Sequence, residues 1–369
     1  MTPGEEDGFR ARVRAELDRV VVPHAEAWER RGRVSRTGWR ELGAAGLLAL
    51  PHDGPGFLRS AVFLEELGAT GYAGVRASIG VHAYMASSYL RLFGSAGQRA
   101  ALLPGAERGD DVLALAISED GAGTDLRCLA TTAVPDGAGG YRLSGHKSAV
   151  ANASAAAHFV VLARTGPGPG LSGASLLLVD ASAAGVTHRR QDALGWRAAD
   201  VRRVEFDDVA VGGDRLLGKP NRALVHLMRA LDFERLVAGL LAVGGVRHCL
   251  RLLTGFARTH RVGDAPLSAN QVVRHRIADL DAQWELVAAY ARRTAERHSR
   301  GELDTKSASV LKLTATELAV TAAQLCVQYH GARGYLDGST AARLYRDSIA
   351  GTIAAGASEL LRELVFESN

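Results

Sequence analysis

The sequence predicts a mainly α-helical chain with a central β-domain, in the order helices, sheet, helices. Apolar residues recur at three- and four-residue steps over the first hundred positions and again from Arg222 to the end. Between Val112 and about Gly218 they gather instead into short β-rich runs separated by Gly, Pro and Asp. At 369 residues and 47% hydrophobic content the chain is long enough for two or three packed subdomains. The expected division is an N-terminal helical domain over 1–110, a middle β-domain over 111–218 and a C-terminal helical bundle over 219–369.

In the first segment, Phe9, Val13, Leu17 and Val20/Val21 form one helical stripe, and Trp39, Leu42 and Leu47/Leu48 a second, with Pro23 and Gly32 as punctuation. After the loop His52 to Gly56, residues 58–103 again read as helices, including Ala61 to Leu67 and a stretch from His82 to Phe93. The middle segment carries Val112 to Ile117, Phe159 to Ala163 and Ser175 to Val179, with no ten-residue helical pattern between them. That spacing favours an antiparallel sheet or small barrel. Candidate helices then follow at 222–260, 268–299, 304–330 and 341–350 with 357–367, and the first three are long enough for a bundle.

Composition narrows the function classes. Lys+Arg total 44 and Asp+Glu 40, a net +4 mixed along the chain without a basic block, which disfavours nucleic acid and is compatible with an acidic partner. Cys128, Cys249 and Cys326 lie far apart without CxxC spacing, pointing to a reducing compartment. The N-terminus has no apolar signal core, and no run is read as reaching the roughly 20 apolar residues of a membrane span. A cytoplasmic protein without membrane segments is expected. The twelve histidines show no HExxH-like spacing, so no metal is expected.

One carboxylate stands out. Leu227, Leu231, Glu234, Ala238 and Leu241 lie on one face of a helix, and Glu234 occupies a place where a leucine would be expected. A buried carboxylate is either paired or kept for proton transfer. Both readings stand at this point, an ion pair with a nearby arginine and a catalytic base. Three further segments are candidates for chemistry. Ser118-Glu119-Asp120-Gly121-Ala122-Gly123-Thr124-Asp125 follows the first strand and is a loop of small residues, either a plain turn or a backbone cradle; it is neither GxGxxG nor a Walker loop. Gly145 to Asn152 links two strands, and Gln328 to Tyr335 breaks the third long helix with glycines.

In order, these pieces resemble the motifs of the acyl-CoA dehydrogenase family: EPGAGSD at Glu119 to Asp125, GxKxWITN at Gly145 to Asn152, QxxGGxGY at Gln328 to Tyr335, and RDA at Arg346-Asp347-Ser348. The resemblance runs nearly the whole length. It implies an N-terminal helical domain, a middle β-domain, a C-terminal four-helix bundle, bound FAD, and a homodimer or homotetramer. It places Ile117, Ser118, Gly123, Thr124, Ala149 and Ala151 near the flavin, with Ala149 and Ala151 replacing the family's tryptophan and threonine. His260 or Arg261 stands where an arginine reaches the FAD pyrophosphate of a neighbouring subunit, although a scattered histidine is more often an ordinary surface or capping residue than a ligand. Gln271, Gln328 and Gly331 fall in the adenosine-binding segments, and Gly356 beside the flavin. Thr124, Tyr84, Ser88, Arg235 and Ala355 are implied near the acyl thioester, with His82 and Ser87 on the same helix.

Most members of the family carry the base in a YEGT segment, where this chain has Ala355. Leu231 to Val237 followed by Ala355-Gly356-Ala357-Ser358-Glu359 resembles instead the branch typified by isovaleryl-CoA and long-chain acyl-CoA dehydrogenases, whose base lies on an earlier helix. The empty position at Ala355 favours Glu234 as the base over the ion-pair reading. The implied activity is FAD-dependent dehydrogenation of an acyl thioester, at a CH–CH bond or a carbinol, with Glu234 taking the α-proton and flavin N5 the β-hydride. Small residues at 149, 151, 354, 355 and 357 suit a short or oxygenated acyl group on coenzyme A or on an acyl carrier protein, as in hydroxymalonyl or methoxymalonyl extender-unit formation for polyketide biosynthesis. An electron-transferring flavoprotein is the implied acceptor. A flavin-dependent monooxygenase on the same fold is the alternative, since it requires no α-proton base, and a flavin-free interaction protein is a third reading.

Overall fold

The computed structural model describes residues 2–368. The helices of the first segment are α1 (Pro3–Val20), α2 (Val22–Arg31), α3 (Arg36–Ala44), α4 (Phe57–Ala69), α5 (Ala73–Gly80), a π-helical turn over Val81–Ala86, α6 (Ser87–Phe93) and α7 (Ala96–Glu107). The strands follow: β1 (Val112–Ala116), β2 (Thr132–Pro135), β3 (Tyr141–Val150), β4 (Ala156–Arg164), β5 (Ala174–Asp180), β6 (Val186–Arg190), β7 (Arg202–Val211) and β8 (Leu216–Leu217). The rest is α8 (Ala223–Thr259), a two-stranded hairpin β9/β10 (Arg261–Val262, Ala265–Pro266), α9 (Gln271–Ser299), α10 (Thr305–His330), α11 (Ala332–Tyr335), α12 (Thr340–Ile353) and α13 (Ser358–Glu367). The long C-terminal helices begin and end within a few residues of the positions expected from periodicity.

By packing, the chain forms two compact units: one from residues 1–22, 51–76 and 232–369, the other from 23–50 and 77–231. In the second unit the sheet runs β6-β7-β3-β2-β4-β5-β8, with β1 paired to β4. Most pairs are antiparallel, as expected. The β1–β4 pair is parallel, so the sheet is mixed, a correction that the apolar runs themselves could not supply.

Those runs are continuous for a physical reason. Val160, Leu162, Leu176 and Leu178 pack with Tyr89, Leu90 and Leu102, whereas Phe159, Val161, Leu177 and Val179 pack with Leu143, Val204 and Phe206. β4 and β5 are therefore buried on both faces, which removes the polar alternation of a half-exposed strand.

The expected helix from His82 to Phe93 contains the π-helical turn, and no residue pattern announces it. His82 is buried at that turn. Its Nδ1 accepts from the Leu113 amide at 2.9 Å and its Nε2 faces the Ala106 carbonyl at 3.1 Å, tying the turn to β1 and α7. The imidazole is therefore neutral with the proton on Nε2, and burial pulls its pKa down to about 4.

In the first unit, Arg10 and Arg14 of α1 and Arg247 of α8 converge on the buried Glu66 of α4. α4 and α8 also touch backbone to backbone. A Cβ at Gly244 would lie 2.0 Å from the Glu65 carbonyl oxygen, and one at Gly68 would lie 2.2 Å from that of Leu241. The bundle core joins Val246, Leu250 and Leu253 of α8 with Leu280 of α9, Leu318 and Ala322 of α10 and Leu344 of α12.

The expectation that no run is long enough for a membrane span needs correction. α8 and α10 are long and apolar enough by length and composition, with mean hydropathies of 1.6 and 1.4. In α8, 72% of that stretch is buried inside the protein, which marks it as a core helix.

Two outcomes follow from this packing. Gly244→Ala should lower stability by about 1–3 kcal/mol in chemical denaturation, because its methyl group has nowhere to go. His82 and His248 are both held to about 4 by burial, while the unfolded chain binds their protons near 6.5. Between those values the unfolded state carries more protons, so stability should fall as pH drops from 6.5 toward 4. Thermal melts of His82→Gln should show lower stability at neutral pH and a shallower slope across that window.

Candidate active site

In the second unit, one buried ion pair organises the loop after β1. Lys147 of β3 has no exposed surface; its ammonium donates to the Ile117 carbonyl at 3.0 Å and to Glu119 at 2.8 Å. The Glu119 carboxylate also accepts the amides of Ala130 at 2.7 Å and Thr131 at 3.0 Å. Glu119 thus ties the start of the loop to its end. Burial alone would raise its pKa, but Lys147, Thr131 and Ala130 outweigh burial and hold it below the ordinary value. Burial likewise pulls Lys147 down to about 8 against the attraction of Glu119. These two motif residues carried no role in the sequence reading.

With its base fixed in this way, the loop presents small groups. Ile117 and Ser118 are half-buried, Gly123 and Thr124 are exposed, and no protein atom lies within 4 Å of a Cβ built on Gly123. Ser118 also accepts the Ser148 amide at 2.9 Å, joining loop and strand. At the end of β3, Ala149 is exposed with φ +55° and donates its amide to the Gln191 side chain at 3.3 Å, and Ala151 is half-buried. Asn152, φ +63°, is anchored through the Ala199 and Ser78 carbonyls, both at 2.8 Å. Gln191 and Ser78 were not legible as neighbours of this strand, because they come from distant segments.

The helix expected to wall the acyl group keeps its polar atoms for itself. Ser88 donates to the Met85 carbonyl at 2.7 Å and Ser87 to that of Ala83 at 2.6 Å, and His82 is occupied as described above. Tyr84 is buried in the π-helical turn.

In the first unit, Glu234 lies on α8 with 5% of its surface exposed. The expected stripe is in fact an enclosed helix, since Phe233 to Val237 are all buried. Arg235, equally buried, directs its charge to Asp232, with Nη1 2.7 Å from Oδ1, and Thr305 donates to the other Asp232 oxygen at 2.7 Å. Asp232 therefore takes the adjacent arginine's charge.

α12 ends in the turn Ala354 to Ala357, where Ala355 and Gly356 are both left-handed, φ +55° and +100°. Lys312 of α10, also without exposed surface, donates to the Gly356 carbonyl at 2.5 Å, and Arg235 Nε lies 3.8 Å from where a Gly356 Cβ would stand. The turn and the Glu234 segment of α8 are thus neighbours.

The remaining predicted residues lie at the other end of the bundle. The rings of His260 and Phe256 stack at 4.6 Å and those of Phe256 and His330 at 3.9 Å, bringing two motif segments together around one phenylalanine. Arg261 is exposed and bonds the Asp264 carbonyl of its own hairpin. Gln271, at the start of α9, and Gln328, in the last turn of α10, are exposed, and Gly331 ends α10 with φ +59°.

The domain models of acyl-CoA dehydrogenases match nearly the whole chain: the N-terminal domain over residues 3–110, the middle domain over 114–209 and the C-terminal domain over 224–368. The chain belongs to the acyl-CoA dehydrogenase family, whose members are FAD-dependent flavoproteins acting on acyl thioesters.

It is 30% identical over 373 residues to the mitochondrial long-chain specific acyl-CoA dehydrogenase of Rattus norvegicus, covering 98% of this chain and 85% of the relative. It is 29% identical over 370 residues to the mitochondrial isovaleryl-CoA dehydrogenase of Solanum tuberosum, covering 97% and 88%. Among solved structures, an acyl-CoA dehydrogenase from Geobacillus kaustophilus superposes with a TM-score of 0.94 at 30% identity, covering 100% of this chain and 98% of that one.

The donor chemistry suits FAD. The loop from Ser118 to Thr124 offers hydroxyls and amides beside small side chains, as neutral ring heteroatoms require, and His260, Arg261 and Gln328 offer cationic and amide donors suited to phosphates and an adenosine.

Breaking the organising pair tests its role. Lys147→Met leaves Glu119 buried without its cation and should cost roughly 3–5 kcal/mol, read as a lower melting temperature with looser FAD retention.

Proposed function

We propose that this protein is a dehydrogenase of short acyl thioesters in which Glu234 is the base. One observation carries the reading: a carboxylate is buried in mid-helix on α8, while the turn at Ala354 to Ala357 contains none. The neighbouring arginine is engaged by Asp232.

The acyl α-proton passes to the Glu234 carboxylate, and the product is the 2-enoyl thioester. FAD, when bound, supplies the two-electron oxidant that accepts the β-hydride. Ser118, Gly123, Thr124, Ala149, Ala151 and Gly356 hold the flavin in this reading, and His260, Arg261, Gln271, Gln328 and Gly331 the rest of the cofactor. Thr124, Tyr84, Ser88, Arg235 and Ala355 line the thioester's place. A carboxylate in apolar surroundings is a stronger base than one in water, which is why burial serves proton abstraction.

The acyl group is short. Its carrier is a phosphopantetheine arm, on an acyl carrier protein of a polyketide extender-unit route or on coenzyme A, and the excess of 44 basic over 40 acidic residues suits either anionic partner. Ser87 and Ser88 donate to carbonyls of their own helical turns and His82 is held between Leu113 and Ala106, so these polar groups are already engaged. Electrons leave to an electron-transferring flavoprotein. Exposed Val272, Leu286, Tyr335, Leu336 and Ile353 support a homodimer or homotetramer, and the three free thiols support a cytoplasmic location.

Anaerobic mixing of the FAD-loaded protein with acyl-CoA and acyl-carrier-protein thioesters should bleach the flavin with one carrier class and yield a product two mass units lighter. Glu234→Gln should keep its FAD and slow bleaching by about 10²–10⁴-fold. Bleaching at the wild-type rate would remove Glu234 from the mechanism, and an oxygenated product under air would favour the monooxygenase.

A further inference from the structure

Lys312 presents a physical problem that the roles assigned so far leave unsolved. A fully buried lysine ordinarily sits against a carboxylate. Here the bonded acceptor is a neutral carbonyl, that of Gly356 at 2.5 Å, while Glu317 and Glu359 attract the ammonium only from farther off. Burial pulls its pKa to about 8, and the nearby Arg235 pushes the same way.

The carbonyl it holds belongs to a turn with two consecutive left-handed residues, one of them an alanine. A left-handed alanine costs about 1–2 kcal/mol, so surrounding contacts must impose this shape. The same turn has amides to offer. Among the described residues, the N–H groups of Ala355, Gly356 and Ala357 find no protein acceptor, although all three residues are half-buried. Such donors ordinarily have a partner. A peptide carbonyl and the amide of the same plane point in opposite directions, so an ammonium on the Gly356 carbonyl turns the Ala357 N–H away from Lys312 and strengthens it as a donor.

We propose that Lys312 is a positioning residue for the reaction: by holding the Gly356 carbonyl it fixes the Ala354 to Ala357 turn so that its amides receive the thioester oxygen as negative charge develops there. This rests on the dehydrogenase reading, with Glu234 as base. Fixed donors aimed at a developing enolate lower the barrier to α-proton removal without tightening ground-state binding. In this reading Lys312 acts through the turn's backbone.

The test uses FAD-loaded Lys312→Met and Lys312→Arg, with Gly244→Ala as a destabilised control whose added methyl group meets the Glu65 carbonyl on α4 rather than the turn. Each is titrated with an acetoacetyl thioester on the carrier that bleaches the wild-type flavin, and enolate formation by the bound ligand is followed by absorbance against pH. Lys312→Met should keep FAD and a KM within about threefold of wild type, lower kcat by about 10–10²-fold, and ionise the bound acetoacetyl group at a pH about one unit or more higher. Lys312→Arg, which keeps the charge on a longer side chain, should shift it less and in the same direction, and it carries the comparison if Lys312→Met does not fold. Gly244→Ala should lose stability without moving the ionisation.

An unchanged kcat and ionisation in the folded Lys312 variants overturns the proposal while leaving Glu234 in place. A shift in Gly244→Ala equal to that in Lys312→Met also overturns it, since the effect would then be general destabilisation. If the wild-type protein itself ionises no bound acetoacetyl group, the dehydrogenase reading falls and this inference with it.

Discussion

Removing an ammonium from water is unfavourable unless its hydrogen bonds are replaced, and this structure does so twice in the same manner. Lys147 and Lys312 have no exposed surface, and each donates to the backbone carbonyl of a motif turn, Ile117 in one unit and Gly356 in the other. A buried cation with so few acceptors tolerates little displacement of them. The loop after β1 and the turn after α12 are held from beneath by charges that have nowhere else to go. Glu119 completes the first of these anchors by gathering the amides of Ala130 and Thr131, so the loop, with Gly121, Gly123 and Thr124 exposed and Ala122 buried, starts from a fixed base.

The same constraint governs the acids. Asp232, Glu234 and Arg235 sit within one turn of α8, yet their charges are not interchangeable. Asp232, bonded by Arg235 and Thr305, is fixed as an ion-pair partner, and Glu234 is enclosed in the same helix among the buried Phe233, Arg235, Leu236 and Val237. Small residues stand at three motif positions: Ala149 near the end of β3, Ala151 just past it, and Ala355 in the turn. The left-handed backbones of Ala149 and Ala355 show that these positions are shaped by contacts on their flanks rather than by their own side chains.

Family membership follows from matches across all three domains and a fold shared over the whole chain. His260 stacks on Phe256, which stacks in turn on His330, so two histidines and one phenylalanine occupy a region where the related pattern carries an arginine. Such a stack is rigid and apolar at its centre and offers its charge only when the imidazoles are protonated.

Much was determined by sequence alone. The three-to-four periodicity located α8, α9 and α10 because a long helix with one or more apolar faces leaves that signature whatever it packs against, and the isolated Glu234 was visible because an acid is out of place in that pattern. The motif order was enough to indicate the family. What the sequence could not contain was pairing at a distance. The parallel partnership of β1 with β4, the π-helical turn at His82, the capture of Arg235 by Asp232 and the clamp of Lys312 on Gly356 all depend on which segments meet in space. A lysine inside a helix reads the same in sequence whether it faces water or a carbonyl 44 residues away, and only the tertiary structure, by excluding water from one side of α10, decided which.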